Sequence, residues 1–233
     1  MVREALTSAT DALGAVGVED PRLDAEVLLA EATGRDRAAL VADPDAGLEP
    51  AASRLFGEMV RRRLRREPVA YIVGRKGFRH LDLAVDPRVL IPRPETELLV
   101  EIALEREPAT LLDVGTGCGA IALAVAAELP SCVVVATDTS GAALAVARAN
   151  DERLGLADRV RFLDGTIPDG EAFDLVRANL PYVAEADWAS LQPEVTEWEP
   201  REALLAGPDG LDAIRCLLAE RARHFNRYPD EMA

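Results

Sequence analysis

Apolar positions along this chain follow a helical period at first, an alternating one briefly, and then strand and helix in turn. In "DPRLDAEVLLAEATG" (20–34) Leu23, Val27 and Ala30 fall on one stripe, which Leu28 widens. Asp20 is a candidate N-cap, Pro21 takes the first helical position, and Gly34 stands just past the end. A further helix is expected through "PAASRLFGEMVRRRLRRE" (50–67), apolar at Leu55, Met59 and Leu64. Its basic run, Arg61, Arg62, Arg63, Arg65 and Arg66, reads as a solvated helix end that complements the helix dipole. A docking patch for an acidic partner is the sharper alternative.

From "YIVG" (71–74) the pattern shortens. "KGFRHLDLAVD" (76–86) alternates and contains a turn, so a β-hairpin or extended linker is expected there. In "VLIPRPETELLVEIALE" (89–105) Pro94 can open a helix whose first turn carries Glu95 and Glu97, as the dipole prefers. Helix initiation alone explains much of "IPRPETE". Beyond residue 109 strands and helices alternate: "TLLDVG", "AIALAVAAEL", "CVVVATD", "GAALAVARANDERLG", "RVRFLDG" and "FDLVRAN". That order implies right-handed βαβ units and a parallel sheet covered on both faces.

Composition narrows the class. With 49% hydrophobic and 29% charged residues among 233, the chain is globular and large enough for one substantial core plus a smaller subdomain. No apolar run suits a membrane span, and "MVREALTSAT" does not read as a signal peptide, so a cytoplasmic location is expected. Cys118, Cys132 and Cys216 are odd in number and widely spaced, against a disulfide framework or zinc site. His80 and His224 are far apart in sequence, so no histidine-based metal site is expected. A net charge of −15 opposes nucleic acid binding, except through a local patch.

Candidate chemistry gathers at two strand ends. Gly115, Gly117 and Gly119 follow the first strand of the alternating region directly, where glycine permits a tight turn and close ligand approach. Their GxGxG spacing differs from the GxGxxG dinucleotide fingerprint, and a packing turn is the plain alternative. Asp138 ends the next strand, where an acid can meet ribose hydroxyls; it could instead cap the next helix, a job open to Ser140. Asp113 could orient the glycine loop or lie near a cationic part of a ligand. "ANLPYV" (178–183) closes the fourth strand of the region with an asparagine, a fixed bend and an aromatic ring.

"DVGTGCGAIAL", "ATDTSGAALAVARAN", "FDLVRANLPYV" and "EPREALLAGPDGLDAIR" stand in the order found in class I S-adenosylmethionine-dependent methyltransferases. Upstream, "PVAYIVGRKGFRHLDLAVDPRVLIPRPETELLVE" resembles the PrmC/HemK branch, over roughly residues 20 to 220 in all. The resemblance implies an α/β, Rossmann-like class I methyltransferase sheet with a small helical N-terminal domain and a β-hairpin linker. The expected bounds are a helical substrate-docking domain over 1–73, the hairpin linker over 74–90 and the methyltransferase domain over 91–233. It implies methyl transfer from S-adenosyl-L-methionine to the side-chain amide of the GGQ-motif glutamine in peptide-chain release factors, with no metal. By the same resemblance Gly115, Thr116, Gly117, Cys118 and Gly119 line the cofactor, Asp138 binds its ribose, and Asp164 or Gly165 falls near adenine. Asn179 would border both cofactor and substrate, with Leu180, Pro181 and Tyr182 on the substrate side.

The amide chemistry fits those residue types. An amide nitrogen is a poor nucleophile because its lone pair is delocalised into the carbonyl. Two acceptors holding its N–H bonds would aim the nitrogen and favour the positive charge that develops there. The Asn179 side-chain oxygen and the Leu180 main-chain carbonyl are the candidates, with Tyr182 packing against the flat amide. Arg201 could shape the substrate side of the pocket or form a structural ion pair.

The chain departs from the family twice. It reads N-L-P-Y where the family has N-P-P-Y, which keeps the carbonyl at 180 but loses the ring that fixes φ there. Activity is expected to persist. Four strands are counted against the usual seven, so the last strands are expected to be lacking, with an unpaired edge beside the site. The alternatives are an amino-methyltransferase acting on adenine in DNA or RNA, and an inactive cofactor-binding remnant.

Overall fold

The computed structural model of the chain describes residues 1–157 and 159–227. It comprises two compact units, Met1–Gly74 and Arg75–Ala233. The first holds helices α1 (Val2–Ala15), α2 (Pro21–Thr33), α3 (Arg37–Ala42), α4 (Pro50–Leu64) and α5 (Val69–Val73). Their shared core includes Leu6, Leu13, Leu28, Leu29, Leu40 and Phe56. Helix α2 starts at Pro21 and stops at Gly34, whose φ of 65° is the left-handed conformation that glycine supplies without strain.

The inward faces correct the stripes expected from sequence. In α2 the buried residues are Ala25, Leu28 and Leu29, while Leu23 is exposed. In α4 Phe56 and Met59 turn inward, Leu55 is exposed, and the helix ends at Leu64 rather than at Glu67. Both helices carry apolar residues over a wide arc, and the neighbouring helices select which part is covered.

The arginine run is corrected in part: the last turn of α4 is basic and Arg61 and Arg65 are exposed, as expected, but three others are engaged within the unit. Arg63 is buried, and its Nε donates to Asp24 Oδ2 at 2.7 Å. Arg62 lays its guanidinium fork on Glu67, with Nε to Oε2 at 2.8 Å. Arg66 Nη1 donates to the carbonyls of Val16 and Gly17, both at 2.9 Å. A guanidinium presents several donors in a rigid plane, which suits it to collecting carbonyls and carboxylates inside a small helical unit. These three arginines are staples of the unit, not a solvated fringe.

In the second unit β1 (Arg75–Phe78) and β2 (Leu81–Ala84) pair antiparallel as the expected hairpin. A 3-10 turn, Pro94–Thr96, leads into α6 (Glu97–Arg106). Then follow β3 (Thr110–Val114), α7 (Ala120–Glu128), β4 (Val133–Asp138), α8 (Gly141–Leu154), β5 (Val160–Asp164) and β6 (Leu175–Ala178). Two more 3-10 turns, Glu185–Ser190 and Arg201–Ala203, flank α9 (Pro193–Thr196), and α10 spans Asp212–Arg227.

The four long-range strands form one parallel sheet in the order β5-β4-β3-β6. Helix α7 is buried from Ala120 through Ala126, which explains why it is apolar all round. The sheet register sets Val114 opposite Thr137 and Ala178, and Asp138 opposite Asp164. Strand ends therefore deliver the glycine loop, Asp138 and Asn179 to one edge, where open α/β sheets bind ligands. Among the described residues β6 pairs with β3 alone. The segment "NRYPDEMA" (226–233), expected to lack a closing strand, begins in α10 at Asn226 and Arg227, and its residues 228–233 lie outside the described residues. No helix among the described residues is long and apolar enough to cross a membrane.

Candidate active site

The loop after β3 is tied to β4 at several points. The amides of Gly115 and Thr116 both donate to the Thr137 carbonyl at 2.9 Å. Gly117 N donates to Asp138 Oδ2 at 2.9 Å, and Ser140 N to Asp138 Oδ1 at 2.9 Å. The capping of α8 falls to Ser140, whose Oγ accepts from Ala143 N at 3.2 Å. Asp138 is thus held by two amides with each oxygen keeping a further lone pair for an incoming hydroxyl. Asn150, fully buried, knits the hairpin to this loop: its Nδ2 donates to the carbonyls of Ala84 and Cys118, both at 3.0 Å.

Two of the glycines are needed for overlapping reasons. Gly117 has φ 57°, and a Cβ there would meet nothing within 4 Å, so conformation alone selects glycine and the backbone stays open to the cavity. Gly119 has φ 88°, so conformation selects glycine here too, and a Cβ would in addition come within 2.8 Å of Leu123 Cδ1 in α7. Cys118 is a buried thiol pushed up to about 12 by desolvation, and it stays neutral near physiological pH.

Asp113 lies fully buried beneath the loop. Thr116 Oγ1 donates to its Oδ2 at 2.6 Å, and Oδ1 has no hydrogen-bond partner among the described residues. Burial pushes this carboxyl up to about 6, against the Thr116 hydrogen bond and the nearby Ala122 amide. The folded chain therefore binds a proton more tightly than the unfolded chain, whose carboxyl keeps the ordinary 3.8. The resulting stabilisation is complete below the unfolded value and is lost as pH rises through about 6. Asp113→Asn should abolish this slope. Between about pH 7 and about pH 5, urea titration should find the parent gaining roughly 1 kcal/mol relative to the variant. A difference that does not change with pH contradicts the assignment.

Asn179 follows β6, and its Nδ2 donates to Thr96 Oγ1 at 3.2 Å. Its Oδ1 has no protein partner among the described residues. The Leu180 side chain packs with the Leu112, Val114 and Val135 cluster, and its Cδ2 lies 3.5 Å from where a Cβ on Gly115 would stand. The Leu180 carbonyl accepts no hydrogen bond from the described residues. Beyond it, Val183 N donates to the Leu204 carbonyl at 2.9 Å and Ala206 N to the Val183 carbonyl at 3.0 Å. This short parallel bridge anchors the far side of the loop.

A cavity of about 170 Å³ joins the two strand ends. Gly115, Thr116, Gly117, Cys118, Asp138, Asn179 and Pro181 line it. Gly119, Asp164, Gly165, Leu180 and Tyr182 are not among its lining residues, and Tyr182 is 70% exposed. Gly165 stays adjacent, its amide donating to the Asp138 carbonyl at 3.0 Å. Sequence reasoning missed Thr96, Pro92 and Glu202 as lining residues. For the first two the available signal was the "LIPRPETE" motif, whose proline-opened helix masked any other role.

The "EPRE" segment is corrected in detail. Arg201 makes no ion pair among the described residues; its guanidinium lies 5.1 Å from the centroid of the Trp188 ring. The ion pair belongs to Glu199, buried, which accepts from Arg93 Nη2 at 2.8 and 2.7 Å. Burial raises the Glu199 carboxyl above its ordinary value, with Arg93 opposing the shift.

Comparison with known proteins gives two family matches: the PrmC N-terminal domain over residues 4–74, and the methyltransferase small domain over 94–194. A release factor glutamine methyltransferase of Rhodopirellula baltica is 42% identical, covering 97% of this chain and 80% of the relative. One of Geobacter sulfurreducens is 43% identical with the same coverage. One of Moorella thermoacetica is 47% identical over 93% of this chain and 79% of its own length.

Proposed function

The chain belongs to the release factor glutamine methyltransferase family, and from that premise we propose that Asn179 Oδ1 and the Leu180 carbonyl hold the glutamine side-chain amide while it is methylated. The enzyme methylates a release factor glutamine with S-adenosylmethionine as donor. The GGQ motif is the proposed location of that glutamine. The observation that carries the reading of the site is the pair of adjacent acceptors, at 179 and 180, without partners among the described residues, at a strand end beside the glycine loop.

The residues present fit the cofactor. Gly117 leaves the loop backbone open to the cavity, and Asp138, which lines it, offers spare acceptor capacity for ribose hydroxyls. When bound, S-adenosylmethionine supplies an electrophilic methyl carbon on a sulfonium. The protein's own task is then orientation. Asn179 Oδ1 takes one N–H of the substrate amide and the Leu180 carbonyl takes the other, which turns the nitrogen lone pair toward the methyl carbon. The same two acceptors stabilise the positive charge that grows on nitrogen. No base is needed beforehand, because the alkylated nitrogen sheds its proton readily to solvent. Leucine at 180 keeps the carbonyl and adds packing beneath Gly115, in place of the fixed φ that proline would give. Tyr182, largely exposed, is proposed to close over the substrate amide when the release factor docks.

The helical unit of residues 1–74 is proposed to contribute to release factor docking. The adenine reading is not favoured, since the curated relatives are named for release factor glutamine and the chain's net charge of −15 repels nucleic acid. Incubation with methyl-labelled S-adenosylmethionine and either release factor or nucleic acid separates them. Label is expected in release factor; label in nucleic acid would overturn the proposal, and label in neither would favour an inactive remnant.

A further inference from the structure

Thr96 ends the 3-10 turn that runs into α6. Its φ of −67° and ψ of −22° are helical, and its side chain makes no capping bond. A capping threonine has an extended backbone and accepts from an amide in the first helical turn, a geometry this residue does not adopt. Here the hydroxyl oxygen instead accepts from Asn179 Nδ2 at 3.2 Å, across 83 residues of sequence. Thr96 is only 8% exposed and lines the same cavity as Asn179.

The turn that carries it is rigidly placed. Pro92 and Pro94 flank Arg93, whose carbonyl accepts from Thr96 N at 3.0 Å to close the 3-10 turn. The Arg93 guanidinium is in turn held by the buried Glu199 carboxylate. An asparagine amide turns easily about its last side-chain bond, because that torsion is broad and roughly two-fold. One fixed acceptor at Nδ2 sets both the plane of the amide and the reach of Oδ1.

We infer that Thr96 is a positioning residue for methyl transfer: its hydroxyl fixes the Asn179 amide so that Oδ1 faces the substrate nitrogen. This rests on the proposed role of Asn179. The reaction needs an in-line approach, so a loosely held acceptor slows the chemical step more than it weakens binding. Removing the hydroxyl should therefore lower kcat with little change in affinity.

The test compares Thr96→Val, Thr96→Ser and Asn179→Ala in the full chain, with rates normalised to bound S-adenosylmethionine so that misfolded protein is not counted. Thr96→Val is expected to lower kcat about tenfold to a hundredfold, with the release factor KM and cofactor Kd within about threefold of the parent. Thr96→Ser, which keeps the hydroxyl, should recover kcat to within about threefold of the parent. A Thr96→Val enzyme with parental kcat would overturn the inference. So would equal losses in the valine and serine variants, which would mark side-chain bulk as the cause. If Asn179→Ala keeps its kcat, the underlying reading of Asn179 fails. If Asn179→Ala loses kcat while Thr96→Val does not, only the role of Thr96 fails.

Discussion

Replacing Asn179 with alanine is expected to reduce methyl transfer by at least about a hundredfold, the scale set by losing a group that stabilises developing charge. Among the described residues the side chain hydrogen-bonds through Nδ2 to Thr96, which leaves Oδ1 for the proposed substrate contact. Alanine removes that acceptor and leaves the Leu180 carbonyl to hold the amide alone. The nitrogen then rotates freely, and its lone pair spends little time aligned with the methyl carbon. Cofactor affinity should stay within about threefold, because the glycine loop and Asp138 keep their backbone contacts. Equilibrium binding of S-adenosylmethionine, measured beside single-turnover rates, separates the two effects. A large loss of cofactor binding with little loss of rate at saturation would assign Asn179 to the cofactor instead.

Gly210→Ala is expected to damage the same loop from 28 residues further along the chain. Gly210 has φ 74°, and a Cβ there would stand 2.3 Å from the Tyr182 carbonyl oxygen and 3.1 Å from Ala184 N. Both are backbone atoms, so no side chain can swing away to make room. The loop containing Tyr182 must move, or the bridge of Val183 to Leu205 must break. Left-handed strain and displaced backbone together should cost about 2–4 kcal/mol. That corresponds to a fall in Tm of roughly 5–15 °C. Because Asn179 and Leu180 lie three and two residues before Tyr182 in the same loop, kcat should fall by about tenfold or more even where the protein is folded. Gly141→Ala is the control: its Cβ would meet nothing within 4 Å, and φ is not positive. Its stability should be unchanged or raised by about 0.5 kcal/mol, with parental activity. Parental activity in Gly210→Ala would show that the loop tolerates displacement, contrary to the proposed mechanism.

The elements from Thr110 to Ala178 were readable because buried parallel strands are continuous apolar runs and glycines mark their ends. The hairpin was readable from alternation. What sequence could not supply was the partner on the other side of each face. Leu23 and Ala25 are both apolar, and only the packing of α2 against its neighbours decides that Ala25 is buried. Arg63 looks like any surface arginine until Asp24, 39 residues away, is found at 2.7 Å. Helix α1 was not anticipated.

The site shows the same limit. Asn179, Asp138 and the glycine loop were legible because each ends a strand, and strand ends converge on one edge. Ser140 as the cap of α8 was legible from its place beside Asp138. Thr96 was not, since helix initiation already explained "IPRPETE" and its contact with Asn179 spans 83 residues. The structural ion pair that was one of two readings of Arg201 is made instead by Glu199, two residues earlier, whose buried carboxylate holds Arg93.

Mapping the methyl group is the most direct measurement. Release factor incubated with the enzyme and S-adenosylmethionine, then digested and sequenced by mass spectrometry, should carry one methyl group on the GGQ glutamine side-chain amide. A release factor with that glutamine replaced should accept none. Methylation at another residue, or undiminished transfer to the glutamine-less substrate, would contradict the proposed role of the Asn179 and Leu180 acceptors.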